Sequence, residues 1–361
     1  MAQFTPGVGI VFKSYEPLDE MAAYAQMAES VGLSGGMWVA EGYHWFRNFG
    51  KESRGAFVTL SACAAATKTI PLGLGITTPY IRHPTIIAAE AAALDEFSRH
   101  RFTLGLGVGA VGVRYLETDL EKHKPVPVHR EAVQIIRGVL SGKAIKFEGD
   151  IFKAEIPAVD PKSVRYRPDL PVYIAATGPM MNRLVGRIGD GLLLPGMTSS
   201  GFVRIAQKRL QEGFDKVGRT PAEPFPVGAV ILAAVSKHGD KAREATRAPS
   251  ATYVVNKVKN IQNDEILTSS GVDEAVLGPM RDAVRRGEQE LTHMITDDFM
   301  RQFNVVSGTP DECVEILQDL IDAGLNLPLM EVVGTDVQMN LETVRLLGEE
   351  VVPRLKLGVA Q

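Results

Sequence analysis

The stretch 70–109, IPLGLGITTPYIRHPTIIAAEAAALDEFSRHRFTLGLGVG, decides the fold. It opens with Pro71-Leu-Gly-Leu-Gly-Ile-Thr77, a short apolar run bounded by Pro79, which reads as a buried strand. Residues 86–97 are rich in Ala and Glu and read as a helix, with His83-Pro84 just ahead of it, where proline is tolerated in a first turn. Phe102-Thr-Leu-Gly-Leu-Gly107 is a second buried strand. Strand, crossover helix and strand form a βαβ unit, so the two strands are parallel neighbours in one sheet. They run out into Thr77-Thr78-Pro79 and Gly107-Val108-Gly109. The carboxyl ends of parallel strands are where α/β proteins bind ligands.

The same alternation extends in both directions. Upstream, 8–12 and 36–40 read as buried strands, 18–31 as the helix between them and 56–67 as the next helix. Downstream, 128–140 is a helix, and 144–153 alternates around Glu148-Gly149-Asp150 as a small hairpin. Residues 171–176, 191–194, 225–235 and 329–333 are further apolar strands, and 180–188, 202–217 and 341–355 are helices. Thr309 with Pro310 marks another helix start. The segment 240–298 is helical and charged, and reads as an insertion or lid before the last strand. Eight strands, nearly all followed by helices, fit a single (β/α)8 barrel spanning 1–361. A doubly wound open sheet is the alternative, but Val11-Phe-Lys-Ser-Tyr-Glu16 is nothing like the Gly-rich fingerprint expected after its first strand.

Bulk properties narrow the function. The chain has 361 residues, 45% of them apolar and 23% charged, which is ordinary for a globular protein. A net charge of −4 gives no basic surplus for nucleic acid. The two cysteines, Cys63 and Cys313, each fall in an apparent helix without a CxxC neighbour. A disulfide framework or metal site is therefore not expected, and a reduced cytoplasmic setting fits. No segment reads as a signal peptide or membrane span.

Several short stretches resemble the luciferase-like family of flavin- and deazaflavin-dependent oxidoreductases. They are Gly36-Met-Trp-Val-Ala-Glu41, Thr78-Pro-Tyr-Ile-Arg-His-Pro84, Phe102-Thr-Leu-Gly-Leu-Gly-Val-Gly109, Val172-Tyr-Ile-Ala-Ala-Thr-Gly-Pro179 and Gly189-Asp-Gly191. Each is weak alone, but they fall in the right order at the right strand ends. Ser307-Gly-Thr-Pro-Asp-Glu-Cys313 and Leu347-Gly-Glu-Glu-Val-Val-Pro353 look most like the branch that contains methylenetetrahydromethanopterin reductase and uses coenzyme F420.

The resemblance implies a (β/α)8 barrel and a set of site residues. Gly75-Ile76-Thr77-Thr78 matches the family's strand-end bulge, with a non-prolyl cis bond implied at Gly75–Ile76 behind the cofactor ring. Gly107 and Gly109 follow the neighbouring strand. Thr177-Gly178-Pro179 resembles a phosphate grip at a helix start, with Gly196-Met197-Thr198 closing on the same group; two ordinary turns are the other reading. Glu41 matches the family's acidic residue after the second strand. Where several deazaflavin enzymes then carry a histidine acid, this chain has Gly42. His44 is the candidate substitute and Tyr43 a weaker one, the other reading of His44 being a polar loop residue. Ala110 replaces the glutamate base of the sugar-phosphate dehydrogenases. Arg82-His83 and His129-Arg130 read as orienting or structural pairs. The basic run Lys241, Arg243, Arg247, Lys257 and Lys259 reads as a solvated helix face, or as a partner for the cofactor's acidic tail.

These readings converge on hydride transfer between coenzyme F420 and a small C=N, C=O or C=C substrate. An FMN-dependent monooxygenase and a barrel with a decayed cofactor site are the alternatives. A homodimer is expected from the family, without nucleic-acid or membrane partners.

Overall fold

The computed structural model describes residues 4–109, 123–260 and 263–358. Parallel strands buried on both faces need continuous apolar sequence, and that is where the strands lie. β1 (Gly9–Lys13), β2 (Gly36–Ala40), β3 (Leu72–Leu74) and β4 (Phe102–Leu106) pair in chain order. The hairpin of β5 (Ile145–Glu148) and β6 (Lys153–Ile156) stands apart as a two-stranded antiparallel sheet. β7 (Val172–Ala175) continues the ring beside β4, followed by β8 (Gly191–Leu194) and β9 (Val227–Val235). β11 (Leu327–Val332) lies between β9 and β1 and closes the barrel, with Gly9 opposite Leu329. The eight strands β1, β2, β3, β4, β7, β8, β9 and β11 make a closed parallel barrel.

β10 (Val306–Gly308) is a difference from the sequence reading, which placed only a helix start there. It takes over as partner of the carboxyl half of β9, where Val306 sits opposite Ala233, beyond the point where β8 stops at Ala229. The helix start is present too, one residue on: Thr309 caps the helix Pro310–Asp322 in a reciprocal capping box with Glu312. The closing helix also differs. It begins earlier, as Val337–Leu346, and passes into a π-turn at Leu347–Val351.

Two cores follow from the period-two alternation of strand side chains. Outward-facing side chains pack under the ring of helices. Inward-facing Val11, Trp38, Tyr173, Leu193, Leu327 and Leu329 fill the barrel. Trp38 and Tyr173 stack there with ring centroids 6.0 Å apart, and the Trp38 indole N–H donates to Gly35 O at 2.8 Å. Between β9 and β10 the chain is helical, over Gly239–Val258, Asp264–Thr268, Glu274–Arg285 and Asp297–Gln302. These helices share a third apolar cluster, including Val254, Leu277 and Phe299, which reaches Met197 and Leu232 of the barrel. No helix among the described residues is long and apolar enough to cross a membrane.

Candidate active site

On β1, β2, β7 and β11 the next inward position above the aromatic layer holds Lys13, Ala40, Ala175 and Glu331. Ala40 and Ala175, with the Gly75–Ile76 turn after β3 and Gly107 after β4, make a floor of small groups at the carboxyl mouth of the barrel. The Gly75–Ile76 peptide bond is cis, as the family resemblance implied. Gly107 is required by close approach: a Cβ there would stand 2.8 Å from Ile76 Cγ1 and 3.1 Å from Ala175 Cβ. Thr78 and the Gly107–Gly109 segment are tied together, because Thr78 Oγ1 donates to Val108 O at 2.9 Å. Under them, His129 is buried with Nδ1 donating to Pro125 O at 2.8 Å, and burial pushes its pKa down. It is a core histidine, in line with the structural reading. Ala110 lies outside the described residues.

The β2–β3 side of the mouth is organised by Arg82. Its planar fork of donors holds Glu41 at both oxygens, at 2.9 and 3.1 Å, and also reaches the Tyr43 hydroxyl at 2.6 Å and Thr77 Oγ1 at 3.0 Å. The Glu41 side chain is 2% exposed. Glu41 is therefore ion-paired with Arg82 and fixes its position. Burial, and then the Glu41 charge, raise the Tyr43 pKa above the usual phenol range. His44 is not brought into this group. It sits in the 3-10 turn Tyr43–Phe49 with a side chain 60% exposed, and its nearest charged partner is Glu52 at 3.9 Å.

After β7, Thr177 and Gly178 lead into the helix Pro179–Ile188, whose first turn carries no acidic residue. Asn182 Nδ2 donates to Thr177 O and Gly178 O at 3.1 and 3.2 Å, holding the turn. An added Cβ on Gly178 would meet nothing within 4 Å, so this backbone faces open space. Gly196 and Met197, after β8, are placed differently. A Cβ on Gly196 would stand 2.3 Å from the Tyr253 ring, and Met197 is buried in the third apolar cluster at φ +53°. Their side faces a packed helix, so an anion would meet only their backbone.

The β1–β11 side of the mouth was not found from the sequence. Glu331 on β11 is 4% exposed; it accepts from the Tyr253 hydroxyl at 2.5 Å and pairs with the Lys13 ammonium at 2.6 Å. Burial alone would lower the Lys13 pKa, but Glu331 more than offsets this and holds it above its ordinary value. Lys257, one helical turn beyond Tyr253, is 4% exposed, with Nζ 6.0 Å from the Tyr253 ring centroid. This corrects the reading of the basic run as a solvated face. The other members are mostly tied up: Arg243 pairs with Asp240, Asp297 and Glu312, Arg247 with Glu244 and Asp297, and Lys259 with Gln289. The signal available in sequence was spacing, since Tyr253 and Lys257 stand four apart on one helix face.

Residues 2–327 match the model of the luciferase-like monooxygenase family, and the chain belongs to that family. Within it, the chain is similar to the 5,10-methylenetetrahydromethanopterin reductase of Methanolobus tindarius, 30% identical over 95% of this chain and 99% of the relative. It is also similar to the F420-dependent glucose-6-phosphate dehydrogenase of Nakamurella multipartita, 28% identical over 95% of this chain and 94% of that one. Among solved structures, the coenzyme F420 dependent tetrahydromethanopterin reductase from Methanopyrus kandleri superposes with a TM-score of 0.82. It is 25% identical, over 98% of this chain and 100% of that one.

Proposed function

We propose that this chain is an F420-dependent oxidoreductase, transferring a hydride between the deazaflavin and a small organic substrate held at the carboxyl mouth of the barrel. The solved tetrahydromethanopterin reductase and the glucose-6-phosphate dehydrogenase relative carry one cofactor, F420, in their names and act on two different substrates. The cofactor is what they share, so it transfers to this chain and the substrate does not. The observation that carries the reading is the mouth itself. Its floor of Ala40, Gly75, Gly107 and Ala175 leaves room for a flat ring, and an acid-free helix start opens at Gly178 beside it.

When bound, the deazaflavin supplies or accepts a hydride at C5. The chain's residues do the rest. The Gly75–Thr78 turn and Gly107 back the ring. The backbone N–H groups after Gly178, at the positive end of their helix, hold the phosphate. Arg82 fixes Thr77 and Tyr43 beside the ring and neutralises Glu41. The helical segment 240–298 covers the mouth as an insertion and shapes the substrate pocket. The role of His44 is at the rim, not in proton delivery. We place the protein in the cytoplasm, where the buried free thiols Cys63 and Cys313 suit a reducing setting. We also propose a homodimer.

Fluorescence titration with coenzyme F420 and, separately, FMN tests the cofactor. Tight deazaflavin binding with weak FMN binding is expected, and the reverse would move the chain to the FMN monooxygenases. Gly178→Asp tests the phosphate position cleanly, because the added side chain meets no neighbour. It sets a negative charge at the anion site, so deazaflavin affinity should fall at least about tenfold, a loss of roughly 1.4 kcal/mol. Unchanged affinity would remove this assignment.

A further inference from the structure

Adding a hydride to a neutral C=O or C=N bond leaves an electron pair on oxygen or nitrogen, and that atom must then take a proton. The described groups at the mouth are nearly all committed. Arg82 holds its charge permanently and Glu41 is ion-paired with it. The Tyr43 hydroxyl accepts from Arg82, and burial and then the Glu41 charge hold its own proton on it. Tyr253 and Lys13 both engage Glu331. His44 is out at the rim.

Lys257 is the exception. The residue is 4% exposed, and its ammonium makes no hydrogen bond or ion pair to any described residue; the described group it meets is the face of Tyr253. Tyr253 in turn rests on Gly196, at the end of β8, and reaches Glu331, at the end of β11. The amine therefore lies on the face of its helix that is turned to the mouth.

We propose that Lys257 is the proton-handling residue of this site and that the substrate is a neutral carbonyl or imine. This rests on the hydride-transfer reading above. As the hydride bonds to the substrate carbon, the π pair moves onto oxygen or nitrogen. That atom takes one proton from the Lys257 ammonium, leaving a neutral amine that regains a proton from water before the next turnover. In the reverse direction the neutral amine takes the proton of an alcohol or amine. A cationic iminium substrate would need no such donor.

The electrostatics of the surroundings agree. Burial with no compensating charge pushes the Lys257 pKa down to about 7, near where a general acid serves best. On the elements packed against its helix, Glu265 pairs with Arg209, Asp264 and Glu274 with Arg281, Asp282 with Arg285, Asp297 with Arg243 and Arg247, and Arg301 with Glu315, while Asp298 is exposed. His293 on the adjacent turn lies close to Glu290. The described side chain that meets Lys257 is Tyr253, whose ring also meets Lys13 and whose hydroxyl donates to Glu331.

The test begins without any ligand. Reductive 13C-methylation of the lysines of the whole protein, with the Lys257 signal assigned by its loss in Lys257→Met, gives its titration midpoint by NMR. A midpoint near neutrality is expected, and one near the ordinary value of about 10.4 overturns the proposal. Cyclohexanone and 2-methyl-1-pyrroline, with reduced F420, then serve as carbonyl and imine probes. Lys257→Met should lower turnover of an accepted probe by about 100-fold or more while leaving F420 affinity within about twofold. Lys257→Arg, a cation that does not titrate, should not rescue it. Undiminished turnover in Lys257→Met refutes the role. Failure of wild type to bind F420 refutes the hydride-transfer reading instead, with the NMR midpoint still deciding for or against the amine.

Discussion

Arg82 shows what one side chain contributes when its partners come from distant parts of the chain. Glu41 and Arg82 are far apart in sequence, and their ion pair forms only because β2 and β3 are adjacent and both end at the mouth. Removing the guanidinium would leave Glu41 buried and unpaired, and breaking such a pair costs more than the pair itself contributes. Arg82→Leu should therefore destabilise the fold by about 3 kcal/mol, the low end of the range for buried pairs, since Arg82 is 22% exposed. Urea denaturation measures this, and Glu41→Leu in the same chain should recover much of the loss. Arg82→Lys keeps the charge but not the fork, so it should still weaken deazaflavin binding by freeing Thr77 and Tyr43. The sequence showed Glu41 as a strand-end acid and Arg82 as an orienting residue, but not that each satisfies the other. Lys257 was hidden for a related reason. A lysine in a basic run reads as solvated, and only the packing of its helix over β9 and the β8 loop buries it.

At the scale of elements, the long apolar runs and the helix between β3 and β4 were legible because period and punctuation agree there. What escaped was short or conditional. β10 has three residues, too few for a pattern, and exists because β9 outruns β8. Another such feature joins the helix Leu18–Ser30 to the entry of β3. Glu29 stands near a helix C-terminus, where the macrodipole disfavours an acid, so sequence gives no reason to expect it. Its carboxylate accepts from the backbone N–H groups of Lys68, Thr69 and Ile70 at 2.8, 2.5 and 3.0 Å and fixes the turn that aims the strand. Burial would raise its pKa, but these donors overcome that and hold it at about 2, below the ordinary 4.5. A folded-state pKa below the unfolded one stabilises fully above pH 4.5 and is lost as pH falls toward 2. Glu29→Gln should thus be less stable than wild type at neutral pH, with the gap closing between pH 4.5 and 2. Urea midpoints across that window measure it, and a constant gap would mean that Glu29 acts by shape and not by charge.

At the scale of the whole molecule, two adjacent helices among the described residues present exposed apolar side chains side by side. The helix Ala56–Ala66, AFVTLSACAAA, has no charged residue on any side. Such a helix belongs in an interior, yet Val58 is 62% exposed. The neighbouring helix Pro84–Phe97 adds Ile86 at 53% and Phe97 at 56% exposed, about three turns apart, with Glu90 between them on the same stripe. Glu90 is the only carboxylate on that stripe, and its inner oxygen turns to Arg82 Nε at 3.5 Å instead of to water. A two-fold dimer pairs the same patch on both copies, so a second copy laid across these two helices would cover Val58, Ile86 and Phe97. At roughly 25 cal/mol per Å² of apolar surface, covering such groups is worth several kcal/mol. We expect sedimentation velocity to give the mass of two 39.1 kDa chains. Val58→Asp together with Phe97→Asp should give a monomer with unchanged helix content, because both side chains already reach solvent in the single chain. A wild-type protein that sediments as a monomer would end this reading. A double variant that stays dimeric would move the interface to another face of the barrel.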